Sequence, residues 1–285
     1  MRYSEVRPND YLAPFIECFW ILEAEHQVLT NAAPEKILPD GCAEIILNFA
    51  APFRAIDQNG LSEIQPSHFL VGQMTRPIFI VPTGEVRLIG IRFQPGGTFP
   101  FIDMPMCDVI DSVTELGAIS GVLARELLTV TDRESALHDK IAALQAVLVN
   151  RLRASKKESR LLGVTASIVE SAGLVSVDEL AAQAAMSSRQ LRRRFLQEVG
   201  IGPKLLCRLL RFQRVFAAVD REDNEWAGVA FECGYYDQAH LIRDFRQFAN
   251  QTPATLLDGS SDLTEAFLRK NRASFFSNTY SNRIS

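Results

Sequence analysis

The chain has 285 residues, 47% hydrophobic and 22% charged, with a formal net charge of −4. That describes a folded protein of two ordinary domains and excludes one that depends on disulfide or metal staples for its stability. The five cysteines (Cys18, Cys42, Cys107, Cys207, Cys233) form no C-x-x-C pair, the N-terminus MRYSEVRPND has no apolar core of a signal peptide, and no run of about 18 apolar residues occurs, so reduced thiols, a cytoplasmic address and no membrane span are expected.

The first ~105 residues read as strands. CAEIILNF (42–49), SHFLVG (67–72), PIFIVP (77–82) and EVRLIGIRF (85–93) are short and rich in β-branched and aromatic residues, and turn formers such as Pro39-Asp40-Gly41, Asn59-Gly60 and Pro95-Gly96-Gly97 bound them. In the last, Arg87, Ile89, Ile91 and Phe93 share one face, and Val86, Leu88, Gly90 and Arg92 the other. Two mostly apolar faces suit a strand in a sandwich or a barrel. The Thr83-Gly84 link is short enough to join the last two runs as a hairpin.

From about 108 the period changes to that of helices, over 111–128 and 132–153. In the second, Leu137, Ile141, Leu144 and Leu148 form one apolar stripe, which serves either to pack on the chain's own strands or to join two copies. ASKKESR (154–160) is polar and aperiodic, a linker. The domains expected are thus 1–105, β-rich and sensing; 106–156, helices and linker with possible dimerisation; 157–257, all helical; and 258–285, a tail with one short helix near 262–270.

Charge is distributed unevenly. Residues 1–156 hold 13 Lys/Arg against 19 Asp/Glu, whereas 188–214 hold eight basic residues against Glu198 alone. A local basic face matters more for nucleic acid than the chain total.

The helical part repeats at a spacing of about 50 residues. Leu180-Ala181, Ala185-Met186, Leu191 and Phe195 recur as Val229-Ala230, Gly234-Tyr235, Leu241 and Phe245, with one extra residue in the second turn. Small residues at the crossing and the turn let two helices meet steeply, which is helix-turn-helix geometry. Ser176-x-x-Glu179 and Ser187-x-x-Gln190 fit capping boxes at helix starts. On a helical wheel with Leu191 and Phe195 inward, Arg189, Arg192 and Arg193 face outward, and Arg194 turns sideways toward Glu198. The second helix of such a unit enters a major groove, where an arginine can grip a guanine edge at about 1–3 kcal/mol of discrimination. On the second copy Ala239, Arg243 and Arg246 face outward, flanked by Gln238, His240 and Gln247. This second face is less basic and more mixed, and suits adenine or thymine edges plus a phosphate or two.

MSSRQLRRRFLQEVGIGPKLLCRLLRFQRV followed by GYYDQAHLIRDFRQFANQTPATL resembles the DNA-binding domain of the AraC/XylS family of bacterial transcription regulators, over about residues 165–257. The resemblance implies two second helices in successive major grooves of double-stranded DNA, no catalysis, and RNA polymerase as a partner if the protein activates. By motif position it assigns base readout to Arg189, Arg192, Arg193, Gln238, Ala239, His240 and Arg243, and phosphate contact to Ser187, Ser188, Arg246 and Gln247. Arg194, Ala239, Tyr235, Leu241 and Asn250 depart from residues usual in the family (apolar, Ser, Phe, Phe and Gly). FIECFWILEA, ILPDGCAEIILNF, FLVGQMTRP and GIRFQPGG are similar to one type of N-terminal domain in that family, implying a cupin-like β-barrel with a sensing role. The fold class expected is therefore α+β multidomain: a cupin-like N-terminal barrel, following helices, and an all-α C-terminal domain. Trp20, Glu44, His68 and Arg92 are the ligand candidates for a small-molecule effector. The alternative is a cupin-type metalloenzyme fused to a DNA-binding domain. It lacks its ligands, since His26 and His68 make no H-x-H pair in the barrel region. No metal and no cofactor is expected, and a homodimer is a possible assembly.

Overall fold

The structure is a computed structural model. It describes residues 2–24, 34–57, 60–131, 135–157, 159–219 and 225–258. The tail helix expected near 262–270 and His26 lie outside the described residues.

Among the described residues the first part holds ten strands: β1 (Arg2–Val6), β2 (Ile16–Ala24), β3 (Glu35–Ile37), β4 (Glu44–Asn48), β5 (Phe53–Ile56), β6 (Ser62–Ile64), β7 (His68–Val71), β8 (Ile78–Pro82), β9 (Val86–Phe93) and β10 (Val113–Glu115). They form two antiparallel sheets, β1-β2-β9-β4-β7-β10 and β3-β8-β5-β6. The closed cupin-like barrel expected from sequence is thus corrected to two open sheets. Among the described residues each sheet keeps two free edges, and residues 2–5 of the edge strand β1 are exposed, the polar edge that resists further pairing. The Thr83-Gly84 link makes no hairpin: β8 pairs with β3 and β5, whereas β9 pairs with β2 and β4. The chain crosses between sheets there, because both faces of β9 must be covered.

They are covered by different layers. Ile89, Ile91 and Phe93 join Phe19, Ile45, Leu47 and Leu70 in a core shared with helices α1 (Leu116–Ile119), α2 (Gly121–Thr131) and α3 (Leu137–Ala154). Val86 and Leu88 pack on the other side with Leu22, Ile46, Phe53 and Phe69, under the second sheet. Leu137, Ile141, Leu144 and Leu148 are all buried in the first of these cores, so the stripe packs on its own sheet and offers no face to a second copy. The helix expected over 111–128 gives way at its start to β10, which pairs with β7. The first sheet therefore runs to Glu115, past the boundary expected at 105. A three-residue strand carries too little alternation to be read locally.

At the centre of the sheet Trp20 lies opposite Gly90. A Cβ added to Gly90 would sit 1.9 Å from the Trp20 ring. Gly90→Val should displace that ring and cost about 1–3 kcal/mol of stability, as overpacked cores do. Chemical unfolding followed by far-UV circular dichroism checks this; an unchanged midpoint would show that the ring relaxes freely.

The second part is helical: α4 (Leu162–Glu170), α5 (Val177–Gln183), α6 (Ser188–Glu198), α7 (Pro203–Ala218), α8 (Trp226–Glu232), α9 (Gln238–Ala249) and α10 (Pro253–Asp258). α7 is the central element. Its Phe212 and Phe216 stack edge-on at 5.1 Å, and Phe245 and Phe248 of α9 close around Phe212 at 4.8 and 5.4 Å. Leu180, Leu191, Phe195 and Leu241 complete this core.

Candidate nucleic-acid interface

Two helix pairs, α5–α6 and α8–α9, stand on either side of α7 in the chain. Their turns are built alike. The amide of Met186 donates to Ala181 O at 3.0 Å, and that of Tyr235 to Ala230 O at 2.9 Å. Ala185 and Gly234 take matching left-handed conformations, φ +49° and +76°. Glycine adopts this at no steric cost and alanine does not, so the first turn carries some backbone strain. The extra residue of the second copy is Tyr236, between the turn and the helix cap, and it is 92% exposed.

Both second helices are capped. Ser187 caps α6 in a full capping box with Gln190, as Ser176 does with Glu179 at the start of α5. Asp237 caps α9 by accepting from the His240 amide at 2.6 Å. Leu191 and Phe195 of α6, and Leu241, Phe245 and Phe248 of α9, are fully buried. The opposite faces are therefore fixed outward. Arg189, Arg192 and Arg193 are exposed on α6; Gln238, Ala239, Arg243, Arg246 and Gln247 are exposed on α9. Arg194 turns aside and pairs with Glu198 at 3.2 Å.

The remaining site candidates are engaged locally. The Ser187 hydroxyl accepts from the Gln190 amide and lies 3.0 Å from Gln190 Oε1; the Ser188 hydroxyl lies 3.5 Å from Asp178. His240 is half-buried, edge-on to the Tyr235 ring at 5.2 Å. Gln247 Oε1 accepts from Arg208 Nη2 at 2.6 Å. A face of three exposed guanidiniums on one helix, joined to a mixed polar face on its copy, can hold phosphates and donate to base edges.

Comparison with known proteins agrees with this geometry. Residues 180–259 match the family described as helix-turn-helix domain. Over 82 residues the chain is 28% identical to the HTH-type transcriptional activator RhaS of Klebsiella pneumoniae (strain 342). Residues 180–259 thus carry a helix-turn-helix domain. The RhaS match covers 29% of this chain and 30% of that protein, so it spans under a third of the curated relative. Residues 4–115 match a domain of unknown function (DUF6597). Among solved structures, ToxT from Vibrio cholerae is similar with TM-score 0.41 and 10% identity, covering 90% of this chain and 98% of that one. The AraC-like transcriptional activator CuxR is similar with TM-score 0.24 and 11% identity, covering 70% and 73%.

The departures from the AraC/XylS pattern fit their places. Tyr235 and Leu241 are buried, and Asn250 ends α9 in the left-handed region at φ 56°. Burial first, and then the neighbouring Asp244, push the Tyr235 phenol far above its usual range, so it stays neutral.

Two further residues position the helical domain. Arg208 of α7 reaches Asp244 of α9 through Nε at 3.2 Å and Nη2 at 2.7 Å. Asp244 is 1% exposed. The signal was an acidic residue on the apolar face between Leu241 and Phe248, where only a paired charge is tolerated.

In the first domain Trp20, Glu44 and Arg92 share the face of the first sheet that looks toward the second sheet, since Trp20 pairs with Gly90 and Glu44 with Arg92. His68 pairs with Leu47 on the opposite face and stands edge-on to Phe49 at 6.5 Å, so it does not join them. Arg92 is buried among carboxylates: Glu44 at 3.1 Å, Glu17 at 3.8 Å, and Asp40 in direct contact. Among the described residues no group of three or more His, Cys, Asp or Glu could hold a metal ion, and no helix is long and apolar enough to cross a membrane.

Proposed function

We propose that the chain is a sequence-specific DNA-binding transcription regulator whose α6 and α9 read two successive major grooves, under the control of the first domain. The observation that carries this is the exposed Arg189, Arg192 and Arg193 face on the capped second helix of a unit that occurs twice. Arg189, Arg192, Arg193, Gln238, Ala239, His240 and Arg243 read bases. Ser187, Ser188, Arg246 and Gln247 lie beside the phosphates. Trp20, Glu44 and Arg92 are the place where a small-molecule effector would act, because they share one face between two sheets. RNA polymerase is a partner if the regulator activates.

The test is the salt dependence of binding to a selected duplex. The cations Arg189, Arg192, Arg193, Arg243 and Arg246 displace counterions as the two helices enter the grooves, so log K should fall with log[salt] at a slope of up to about −4.5, about a five-hundredfold loss between 50 and 200 mM. The acidic first half should keep binding to random DNA weak. A flat salt profile, or tight salt-insensitive binding to random DNA, contradicts the proposal.

A further inference from the structure

The first domain touches both reading helices at the same end. Lys36 of β3 donates from Nζ to the carbonyl of Ala249, the last residue of α9, at 3.1 Å, and to Gln251 Oε1 at 2.6 Å. Carbonyls at a helix C-terminus have no partner within the helix, so a cation there both satisfies a bond and suits the helix dipole. Next along the chain, Leu38 is 1% exposed and belongs to the core of the helical domain, not to that of the sheets. The Pro39 carbonyl accepts from Gln213 Nε2 of α7 at 2.6 Å, and Gln213 is itself buried. A Cβ on Gly41 would meet Leu206 of α7 at 2.9 Å.

The same segment is tied back into the first domain. Asp40 pairs with the buried Arg92 of β9, and the Gly41 carbonyl accepts from Gln73 Nε2 at 2.8 Å. At the end of α6, Gly200 lies so close to the first domain that an added Cβ would be 3.0 Å from the Met106 carbonyl. Gly96 approaches Val199 in the same way, at 3.5 Å. Glu198 accepts from Ser159 of the connecting segment at 2.8 Å. Two helices belonging to different units therefore end on one sheet domain.

We propose that the segment 36–41 is a positioning element: it fixes the C-terminal end of α9 relative to α6 and so sets the spacing at which the two DNA blocks are read. This rests on the DNA-reading function proposed above. Lys36 touches no base; it acts through α9. A rigid brace makes the protein intolerant of a changed distance between blocks. One inserted base pair moves a block by about 3.4 Å along the axis and about 35° around it.

The experiment uses the full chain. Random duplexes are first selected with wild-type protein, and the recovered two-block site is then lengthened and shortened by one base pair. Wild type should discriminate against both by roughly tenfold or more, and Lys36→Met should narrow that ratio to within about threefold, while Lys36→Arg keeps it. Gln251→Leu removes an acceptor from the other side and should narrow the ratio similarly, which covers a failure of Lys36→Met to fold. A lysine that merely stabilises α9 would weaken binding equally at every spacing and leave the ratio unchanged; that result overturns the proposal, as does a wild type indifferent to spacing. Failure of wild type to select a two-block site is a different outcome, and overturns the DNA reading itself.

Discussion

Replacing Arg192 and Arg193 together by alanine should weaken specific DNA binding by the full chain about thirtyfold or more. Each side chain is exposed on α6, and among the described residues neither has an ion pair of the kind that holds Arg194. A good arginine–guanine contact is worth about 1–3 kcal/mol, so losing two removes roughly 2–6 kcal/mol. The folded domain should be almost indifferent, because substitutions at such exposed positions change stability by no more than about 0.5 kcal/mol. Alanine is also the better helix former. Fluorescence anisotropy with a selected duplex, beside thermal unfolding of the same preparation, reads both quantities. Unchanged affinity would make this arginine face a solvated surface.

Arg208→Met should be the most destabilising of the single changes considered, at about 3–5 kcal/mol. The guanidinium makes two contacts to Asp244, one to Gln247 at 2.6 Å, and lies 5.2 Å from the centre of the Phe248 ring. Its removal leaves a buried carboxylate whose Oδ2 already has no hydrogen-bond partner among the described residues. The cost comes from that stranded charge more than from the lost attraction. Arg208→Met combined with Asp244→Leu should therefore recover most of the loss, since an apolar pair of similar volume needs no desolvation. Denaturant unfolding of the two single variants and the double variant measures this directly. A double variant no more stable than Arg208→Met would locate the cost in packing against Phe248 instead.

The second domain was legible in unusual detail because its signals are local. A cap box spans four residues and an apolar pair one helical turn, so Ser187, Gln190, Leu191 and Phe195 declared both the start of α6 and its buried face. The outward arginines followed by subtraction. The first domain was legible only as strands. Which strands pair, and whether a sheet closes, depends on contacts distant in sequence, and β8 followed by β9 reads as a hairpin although the two belong to different sheets. β2 illustrates another limit: IECFWILEA is nearly continuous in apolar residues, and such a run has the same composition in a strand as in a buried helix. Pro39-Asp40-Gly41 was correctly a turn former, yet nothing local reveals that Leu38 beside it belongs to the other domain's core. Asp244 shows locally as an acid on an apolar face, but its partner Arg208, 36 residues away, is invisible for the same reason.

If α6 and α9 read two blocks of one DNA site, both blocks should be recovered together from a random pool. The most direct measurement is selection from random duplexes by the full-length protein, with Arg192→Ala/Arg193→Ala carried in parallel. An enriched motif of two blocks about one helical turn, or 10–10.5 base pairs, apart is expected, with one block lost in the double variant. No enriched motif, or a single block that survives the loss of both arginines, would contradict it.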